Sequence, residues 1–262
     1  MNLDLTDKYA IICGSTQGLG FASAAELALL GANVTLVARN EEKLKEAVAK
    51  LDSSLQQKHN YVIADFQFPG QVKNAIEKHL AQHPSVNILV NNTGGPKAGT
   101  ALDASIEEYL QAFNSHLICN QILVQAVIQS MKASGYGRII NIISTSVKQP
   151  IAGLGVSNTI RGAIASWSKT LANELGPFGI TVNNVLPGYT KTSRLDSLMQ
   201  SRSEATGQSM EEIEKMFMHD IPLKRIGTAE EFGAAVAFLC SPAAGYINGI
   251  NLPVDGGKLQ TL

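Results

Sequence analysis

Short, almost uninterrupted apolar runs alternate along the chain with longer segments in which apolar residues recur every three or four positions. The apolar runs cover residues 9–13, 32–38, 61–64, 86–91, 138–144 and 180–187. Runs of this kind are typical of parallel strands covered on both faces, and the longer segments predict amphipathic helices. Gly31 is placed to end the first helix, and Asn40 to cap the second. Repeated strand–helix units predict an α/β fold with a doubly wound parallel sheet.

The chain has 262 residues without a repeat, a low-complexity tract or a linker, which predicts one domain over residues 1–262. The segment from about residue 192 to residue 226 breaks the strand–helix alternation and carries Leu and Met on its helical faces. It follows the carboxyl end of a strand, where open α/β sheets bind ligands. A substrate lid is the favoured interpretation, and an insertion for packing or dimer contact is the alternative.

The composition excludes several classes of partner and site. The net charge is -1, with 16% charged residues, so we expect no nucleic acid and no polybasic membrane contact. The three cysteines, Cys13, Cys119 and Cys240, lie far apart in apolar segments. An odd count without C-x-x-C spacing predicts buried free thiols, no disulfide framework and no metal site.

The first fourteen residues, MNLDLTDKYAIICG, place acidic side chains before a short apolar run. This order is not that of a signal peptide. No apolar stretch approaches the roughly 18 residues that a membrane span needs. We therefore expect a cytoplasmic protein.

A glycine-rich loop, CGSTQGLG, follows the first predicted strand and places Gly14, Gly18 and Gly20 before a helix. Glycines allow a tight turn and a close approach to a pyrophosphate, and a helix N-terminus offers free N–H groups and a positive dipole end. The position between first strand and first helix makes the loop a candidate dinucleotide site.

Arg39 stands at the end of the second strand, where an acidic residue would bind the adenosine ribose of NAD. A guanidinium there can form charge-assisted hydrogen bonds with a 2′-phosphate. Arg39 therefore favours NADP over NAD, with a solvated surface arginine as the alternative. Gln17 carries no charge, so the preference depends on Arg39 alone.

Several motifs occur in order along nearly the whole chain: the glycine loop, NNTG from Asn91 to Gly94, GRIINIIS ending at Ser144, PGYTKT from Pro187 and INGINLPVDGG near the end. With them the chain resembles the short-chain dehydrogenase/reductase (SDR) family, most of all the 3-oxoacyl-acyl-carrier-protein reductase and sugar-dehydrogenase type. The resemblance implies a single Rossmann domain, a nicotinamide cofactor and a homotetramer or homodimer.

The resemblance also implies roles for the residues that match the family's cofactor motifs. The glycine loop would bind the pyrophosphate, Asp65 would lie beside the adenine, and the segment from Pro187 would hold the nicotinamide end. The implied cofactor-binding residues are Gly14, Ser15, Thr16, Gln17, Gly18, Leu19, Gly20, Arg39, Asp65, Asn91, Thr93, Gly94, Pro187, Gly188, Thr190 and Thr192.

The catalytic positions depart from the family pattern of Asn, Ser, Tyr and Lys. Ser144 matches the substrate-orienting serine, but Ser157 stands at the tyrosine position and Arg161 at the lysine position. His116 occupies the asparagine position, twenty-eight residues before Ser144. Matching motifs on both sides fix this register, so we interpret Ser144, Ser157, Arg161 and His116 as the catalytic set.

The exchanges change the proton chemistry. A tyrosine with a pKa of about 10 can be brought toward neutrality by a nearby ammonium, whereas a serine hydroxyl is shorter and far less acidic. Arg161 keeps a positive charge one helical turn from Ser157, and its planar fork can bind ribose hydroxyls or a carboxylate.

Three side chains or a water remain as proton donors. His116 is favoured because an ordinary histidine pKa of about 6.5 suits proton transfer at neutral pH, with a hydrogen-bonded helix histidine as the equal alternative. For Tyr189, packing over the cofactor is favoured over catalysis. For Lys97, a solvated loop lysine is favoured over contact with an anionic substrate.

The leading hypothesis is an NADP(H)-dependent oxidoreductase acting on a small carbonyl or alcohol through an atypical site. The second is a catalytically inactive nucleotide-binding homologue that serves as a sensor or scaffold. A lyase or dehalogenase without a nucleotide is a weaker third hypothesis. Halohydrin dehalogenases also have arginine at the lysine position, but they keep the tyrosine and lose the nucleotide glycines.

Overall fold

One parallel sheet of seven strands runs through the centre of the protein. The computed structural model describes residues 1–261, and the strand order is β3-β2-β1-β4-β5-β6-β7. The strands are β1 (Tyr9–Cys13), β2 (Asn33–Ala38), β3 (Asn60–Ile63), β4 (Ile88–Asn91), β5 (Gly137–Ile142), β6 (Ile180–Pro187) and β7 (Asn251–Val254). The order reverses between β1 and β4, so the carboxyl ends of these strands form the crevice in which doubly wound sheets bind ligands.

Helices cover both faces of the sheet. The helices are α1 (Gly18–Leu29), α2 (Glu41–Val48), α3 (Pro69–Gln82), α4 (Ile106–Phe113), α5 (Cys119–Ser134), α6 (Gly155–Leu175), α7 (Ser193–Thr206), α8 (Met210–His219) and α9 (Ala229–Cys240). Successive side chains of β1 point to opposite faces: Ile12 packs in a core with Leu27 and Phe232, and Ile11 in a core with Leu123. This arrangement confirms the predicted α/β fold.

Two helix boundaries agree with the sequence. Gly31 has a φ of 97° and its N–H donates to Ala28 O over 2.9 Å, which closes the end of α1. The Asn40 side chain accepts a hydrogen bond of 2.9 Å from Lys43 N and caps α2. The three cysteines are buried free thiols, as expected.

The segment after β6 forms the two helices α7 and α8. Their facing residues make a small core of their own around Leu195, Met199, Ile213 and Phe217, with Tyr189 packed against it. The two helices thus pack on each other after the carboxyl end of β6, where a lid over a ligand site would lie. We call residues 192–226 the lid segment, and its role as a lid stays a prediction. Within the described residues, no helix combines the length and apolarity needed to cross a membrane.

Candidate active site

The glycine loop joins β1 to α1 at the point where the strand order reverses. Gly14 has a φ of +55°, and a Cβ there would lie 2.7 Å from Asn92 O. A Cβ on Gly20 would lie 2.3 Å from Gly14 O. Only glycine fits these two positions, because the main chain folds back on itself there. The loop is therefore as tight as a pyrophosphate-binding turn requires.

The N-terminus of α1 is open. Gln17 is its N-cap residue and makes no side-chain capping hydrogen bond, and the first turn contains no acidic residue. Its first N–H groups thus lack a capping side chain, and the positive end of the helix dipole is not neutralised by a carboxylate. This is the environment that binds a phosphate, so the loop fits the dinucleotide that the sequence predicts.

Asn92 supports the loop from the neighbouring strand. Its Nδ2 donates to Gly14 O over 3.0 Å and to Cys13 O over 3.3 Å. These bonds join the end of β4 to the end of β1. The predicted site contains Asn91, Thr93 and Gly94 but omits Asn92, although it belongs to the same NNTG motif.

Ser15 has a structural role within the predicted cofactor set. Its buried hydroxyl donates to Ile12 O over 2.8 Å and accepts from Val37 N over 3.1 Å, so the side chain links β1 to β2. Thr16 and Leu19 are half-buried in the same turn. The exposed Gln17 donates from Nε2 to Ser193 Oγ over 3.2 Å and so contacts the start of α7.

The residues after β6 lie beside this loop. A Cβ on Gly18 would be 3.5 Å from Thr192 Cγ2, so the two implied cofactor segments are neighbours. Pro187 ends β6, and Gly188 N donates to Val254 O over 2.9 Å. Thr190 is buried nearby. The structure thus brings the pyrophosphate loop and the segment implied for the nicotinamide end together.

Arg39 and Asp65 lie at the ends of the paired strands β2 and β3. Arg39 is exposed, and its side chain forms no hydrogen bond or ion pair within residues 1–261. Asp65 is half-buried, and its Oδ1 accepts from Gln67 N over 3.0 Å. The side chain of the next residue, Asn40, caps α2 and is therefore occupied. The Arg39 guanidinium is unoccupied and can bind an additional phosphate at this edge.

Ser144 and Ser157 present hydroxyl groups beyond the end of β5. Ser144 Oγ accepts from Ser146 N over 3.0 Å, which fixes the oxygen and leaves its hydrogen able to donate to a ligand. Ser157 lies half-buried in the first turn of α6, and no other described residue forms a hydrogen bond with its hydroxyl. Both groups can therefore donate to a substrate oxygen or a water.

Arg161 is a buried cation on α6. Its side chain is only 8% exposed, and Nη1 donates to Ile142 O over 3.1 Å. Burial, followed by the positive charge of Arg194, lowers the pKa of Arg161 to about 10. The guanidinium is still protonated at neutral pH, so the site retains the positive charge that the lysine would supply.

His116 lies in a π-helical stretch, Asn114–Ile118, between α4 and α5. Its ring is 2% exposed, and Nδ1 shares a short hydrogen bond with Thr93 Oγ1. Burial, and then the charge of Arg161, lower the pKa of His116 to about 2, although a hydrogen bond with the Gly94 main chain acts in the opposite direction. The expectation that His116 titrates near neutrality is therefore wrong: the ring is neutral at physiological pH.

Tyr189 and Lys97, the other two candidate proton donors, have different surroundings from His116. Tyr189 stacks on Phe217 with ring centroids 4.3 Å apart and planes 6° apart, and burial raises its pKa. A stacked phenol with a raised pKa packs beneath the lid segment and is a poor acid. Lys97 is exposed and makes no contact with a charged group in the described part of the chain.

The sequence and the fold match those of known proteins over nearly the full length. A family model described as enoyl-(acyl carrier protein) reductase matches residues 14–258. The 3-oxoacyl-[acyl-carrier-protein] reductase FabG of Rickettsia bellii is 33% identical over 260 residues, which cover 98% of this chain and 99% of the relative. Dehydrogenase/reductase SDR family member 4 of Oryctolagus cuniculus is 30% identical over 262 residues, covering 98% and 96%.

The chain belongs to the short-chain dehydrogenase/reductase family. Among solved structures, the L-sorbose reductase of Gluconobacter frateurii, complexed with NADPH and L-sorbose, superposes with a TM-score of 0.93 at 30% identity and covers 100% of both chains. Against this SDR background, the geometry divides the site. The predicted nucleotide side has the glycine turn, the open helix end and an unpaired arginine, whereas the predicted catalytic side has serine, arginine and neutral histidine.

Proposed function

We propose that this SDR protein is an NADP(H)-dependent oxidoreductase that interconverts a small carbonyl compound and its alcohol. One observation carries the proposal: an uncapped helix N-terminus behind a glycine-only turn lies at the same sheet edge as the exposed, unpaired Arg39. The first feature suits a pyrophosphate and the second a 2′-phosphate. The NADPH in the L-sorbose reductase supports the same choice.

The chain's own residues account for the orientation and polarisation of a substrate. A bound NADPH would supply the hydride to the carbonyl carbon. The Ser144 hydroxyl, whose oxygen is fixed by Ser146 N, would donate to the carbonyl oxygen. Arg161, held by Ile142 O, would stabilise negative charge on that oxygen and retain donors for ribose hydroxyls. These groups act without a tyrosine.

The proton that completes the alcohol would come from water. His116 has no imidazolium to offer at neutral pH, because its pKa is about 2. A neutral imidazole still has one N–H donor and one acceptor nitrogen, so it can relay a proton between Thr93 and a water. The unpartnered hydroxyl of Ser157 would hold such a water where the family has its tyrosine. The net reaction consumes one carbonyl compound, one NADPH and one proton.

The alternative is a nucleotide-binding homologue without catalysis, which acts as a sensor or scaffold. It is favoured by one fact, the absence of an acidic hydroxyl at residue 157. Both functions require the nucleotide side of the site, so binding alone does not separate them.

The test measures binding and turnover in sequence. NADPH fluorescence is titrated with the protein, and NADPH oxidation is then followed with 3-oxoacyl thioesters, small ketones and keto sugars. We expect binding and turnover with at least one class, and a loss of turnover in Ser144→Ala and His116→Ala. Binding without turnover across the panel favours the scaffold. No binding at all contradicts both functions.

Assembly into a homotetramer or homodimer is part of the proposal. α4 exposes an apolar stripe of Ile106, Leu110 and Phe113, which are 69%, 56% and 37% exposed. Residues with this spacing lie on one helix face, and a second copy of the chain would remove them from water. Light scattering of the purified protein measures the state directly; a monomer would contradict this part of the proposal.

A further inference from the structure

Two arginines, one in the predicted catalytic set and one in the segment after β6, have no acidic partner among the described residues. Arg161 belongs to α6, and Arg194 lies in the first turn of α7, in the lid segment. Neither forms an ion pair with a carboxylate within residues 1–261. By contrast, Arg225, which lies in the lid segment with Arg194, pairs with Glu231. The predicted catalytic side of the site therefore carries two positive charges without a counterion among residues 1–261.

Arg161 has unused hydrogen-bonding capacity. A guanidinium has five N–H donors in one plane, and the described residues accept only one bond from it, at Ile142 O. The side chain is 8% exposed, so bulk water does not supply the missing acceptors freely. A buried cation in this condition is costly unless an anion or several acceptors join it.

Arg194 reaches from the lid segment across the loop that follows β4. Its Nη2 lies 3.5 Å from Pro96 O, and a Cβ on Gly95 would be 3.8 Å from the same nitrogen. That loop begins with Thr93 and Gly94, which both form hydrogen bonds with His116. The charge of Arg161 in turn contributes to the lowered pKa of His116. The charge of Arg194 is also, after burial, a cause of the lowered pKa of Arg161, so the two guanidinium groups lie near each other.

We propose that Arg161 and Arg194 bind a carboxylate of the substrate, so that the carbonyl compound reduced here is an oxo acid. The inference rests on the proposed reductase function and adds the substrate class. A carboxylate between the two cations replaces their mutual repulsion with two charge-assisted contacts. Arg161 has enough donors to bind ribose hydroxyls with one edge and the carboxylate with the other. Because Arg194 belongs to α7, the same contact connects the lid segment to the substrate.

The experiment compares 2-oxo, 3-oxo and 4-oxo acids with their methyl esters, which have the same carbonyl without the charge. We expect kcat/KM for the preferred acid to exceed that for its ester by at least about 10-fold, the size of one charge-assisted contact. In Arg194→Met this preference should fall about 10-fold, with Arg194→Lys retaining part of it. Arg194 is exposed, so both variants should fold.

Arg202→Met is the matched control, because it removes the same charge from α7. The Arg202 guanidinium lies 5.7 Å from the centre of the Phe217 ring, and in the described part of the chain no hydrogen bond joins it to the loop after β4 that Arg194 contacts. It should leave the ratio of acid to ester unchanged. An equal kcat/KM for acid and ester in the natural protein, or a ratio that Arg194→Met does not alter, overturns the inference while the reductase function stands.

A binding measurement separates this inference from the reductase function. Oxamate and succinate, which the enzyme is not expected to reduce, are titrated calorimetrically into the protein with NADP⁺, and oxamide serves as the uncharged probe. Carboxylate binding that Arg194→Met weakens, without turnover of any carbonyl, supports the anion site and contradicts the reductase. If neither oxamate nor succinate binds and no acid is preferred, the anion site is wrong.

Discussion

Arg161 donates from Nη1 to the main-chain oxygen of Ile142 over 3.1 Å, which ties the cation of α6 to the strand end two residues before Ser144. The bond holds a positive charge near Ser144, the residue proposed to orient the substrate oxygen. The same charge contributes, after burial, to the low pKa of His116. In the proposed reaction Arg161 would stabilise the developing negative charge, and its charge adds to burial in keeping His116 neutral.

Replacing His116 should make stability less dependent on pH. Its folded pKa of about 2 lies below the ordinary 6.5, so between these values the unfolded chain binds a proton that the folded chain does not. The contribution is complete above 6.5 and is lost as the pH falls, by about 2 kcal/mol at about pH 5. The half-buried His79, whose pKa is lowered by burial to about 4, contributes a loss of its own in both proteins. Urea unfolding at about pH 5 and pH 7.5 should therefore show a loss in the natural protein that exceeds the loss in His116→Asn by about 2 kcal/mol. Equal losses in both would contradict the assigned burial.

The activity profile provides a second check on His116. Because the ring is neutral throughout the range, the pH profile of kcat/KM should contain no inflection from His116 between about pH 5 and pH 8. His116→Asn, which keeps a polar side chain, should retain more activity than His116→Ala. An inflection near 6.5 that His116→Asn removes would show a titrating histidine and contradict the relay.

Restoring the family pair Ser157→Tyr with Arg161→Lys should reduce activity on the natural substrate by at least about 10-fold. The tyrosine fills the position assigned to a water, and a lysine cannot reproduce the planar contacts of the guanidinium. The single variants serve as controls, and NADPH oxidation is the readout. If the pair creates activity from none, the natural site is a disabled reductase.

Arg39→Ala should weaken NADPH binding about 10- to 100-fold and leave NADH binding within about twofold, because only NADPH carries the 2′-phosphate. Fluorescence titration with both nucleotides measures the change. Lys50→Ala, which removes an exposed charge at the end of the same strand–helix unit, is the control. Equal effects on both nucleotides would mean that Arg39 does not bind the 2′-phosphate.

Asn92→Asp should weaken the nucleotide site more than Asn92→Ala. Alanine removes the hydrogen bonds to Cys13 O and Gly14 O, at a cost of about 1–2 kcal/mol in unfolding free energy. Aspartate places a carboxylate against the same two carbonyl oxygens and adds repulsion. Urea unfolding and NADPH titration should both follow the order natural, Ala, Asp. An unaffected Asp variant would contradict the role of Asn92 in holding the loop.

Much of the fold could be predicted from the sequence because its strands are continuous apolar runs. β1 and β6 have the predicted bounds, and the other four predicted strands differ by one or two residues at one or both ends. β7 was not predicted as a strand, because its four residues are only half-buried or exposed and include Pro253. A short edge strand has no apolar run to reveal it, and it tolerates proline.

The catalytic side was less predictable, because it depends on contacts between distant residues. His116 has an ordinary helical context in the sequence, and its pKa follows from burial, Thr93 and Arg161, which only the fold brings together. Arg194 follows a recognisable PGYTKT motif, yet its contact with Pro96 O depends on how the lid segment folds. Residue types at fixed spacing predict which side chains form the site, whereas burial and contacts in the fold set their pKa values.

The central claim, hydride transfer without a tyrosine, is tested most directly by isotope transfer. NADPH deuterated at the transferable C4 position is incubated with the protein and the best carbonyl substrate, and the alcohol is analysed by mass spectrometry. The account predicts one deuterium on the carbinol carbon and none in the Ser144→Ala reaction. A protein that binds NADPH but yields no deuterated alcohol from any carbonyl would contradict it.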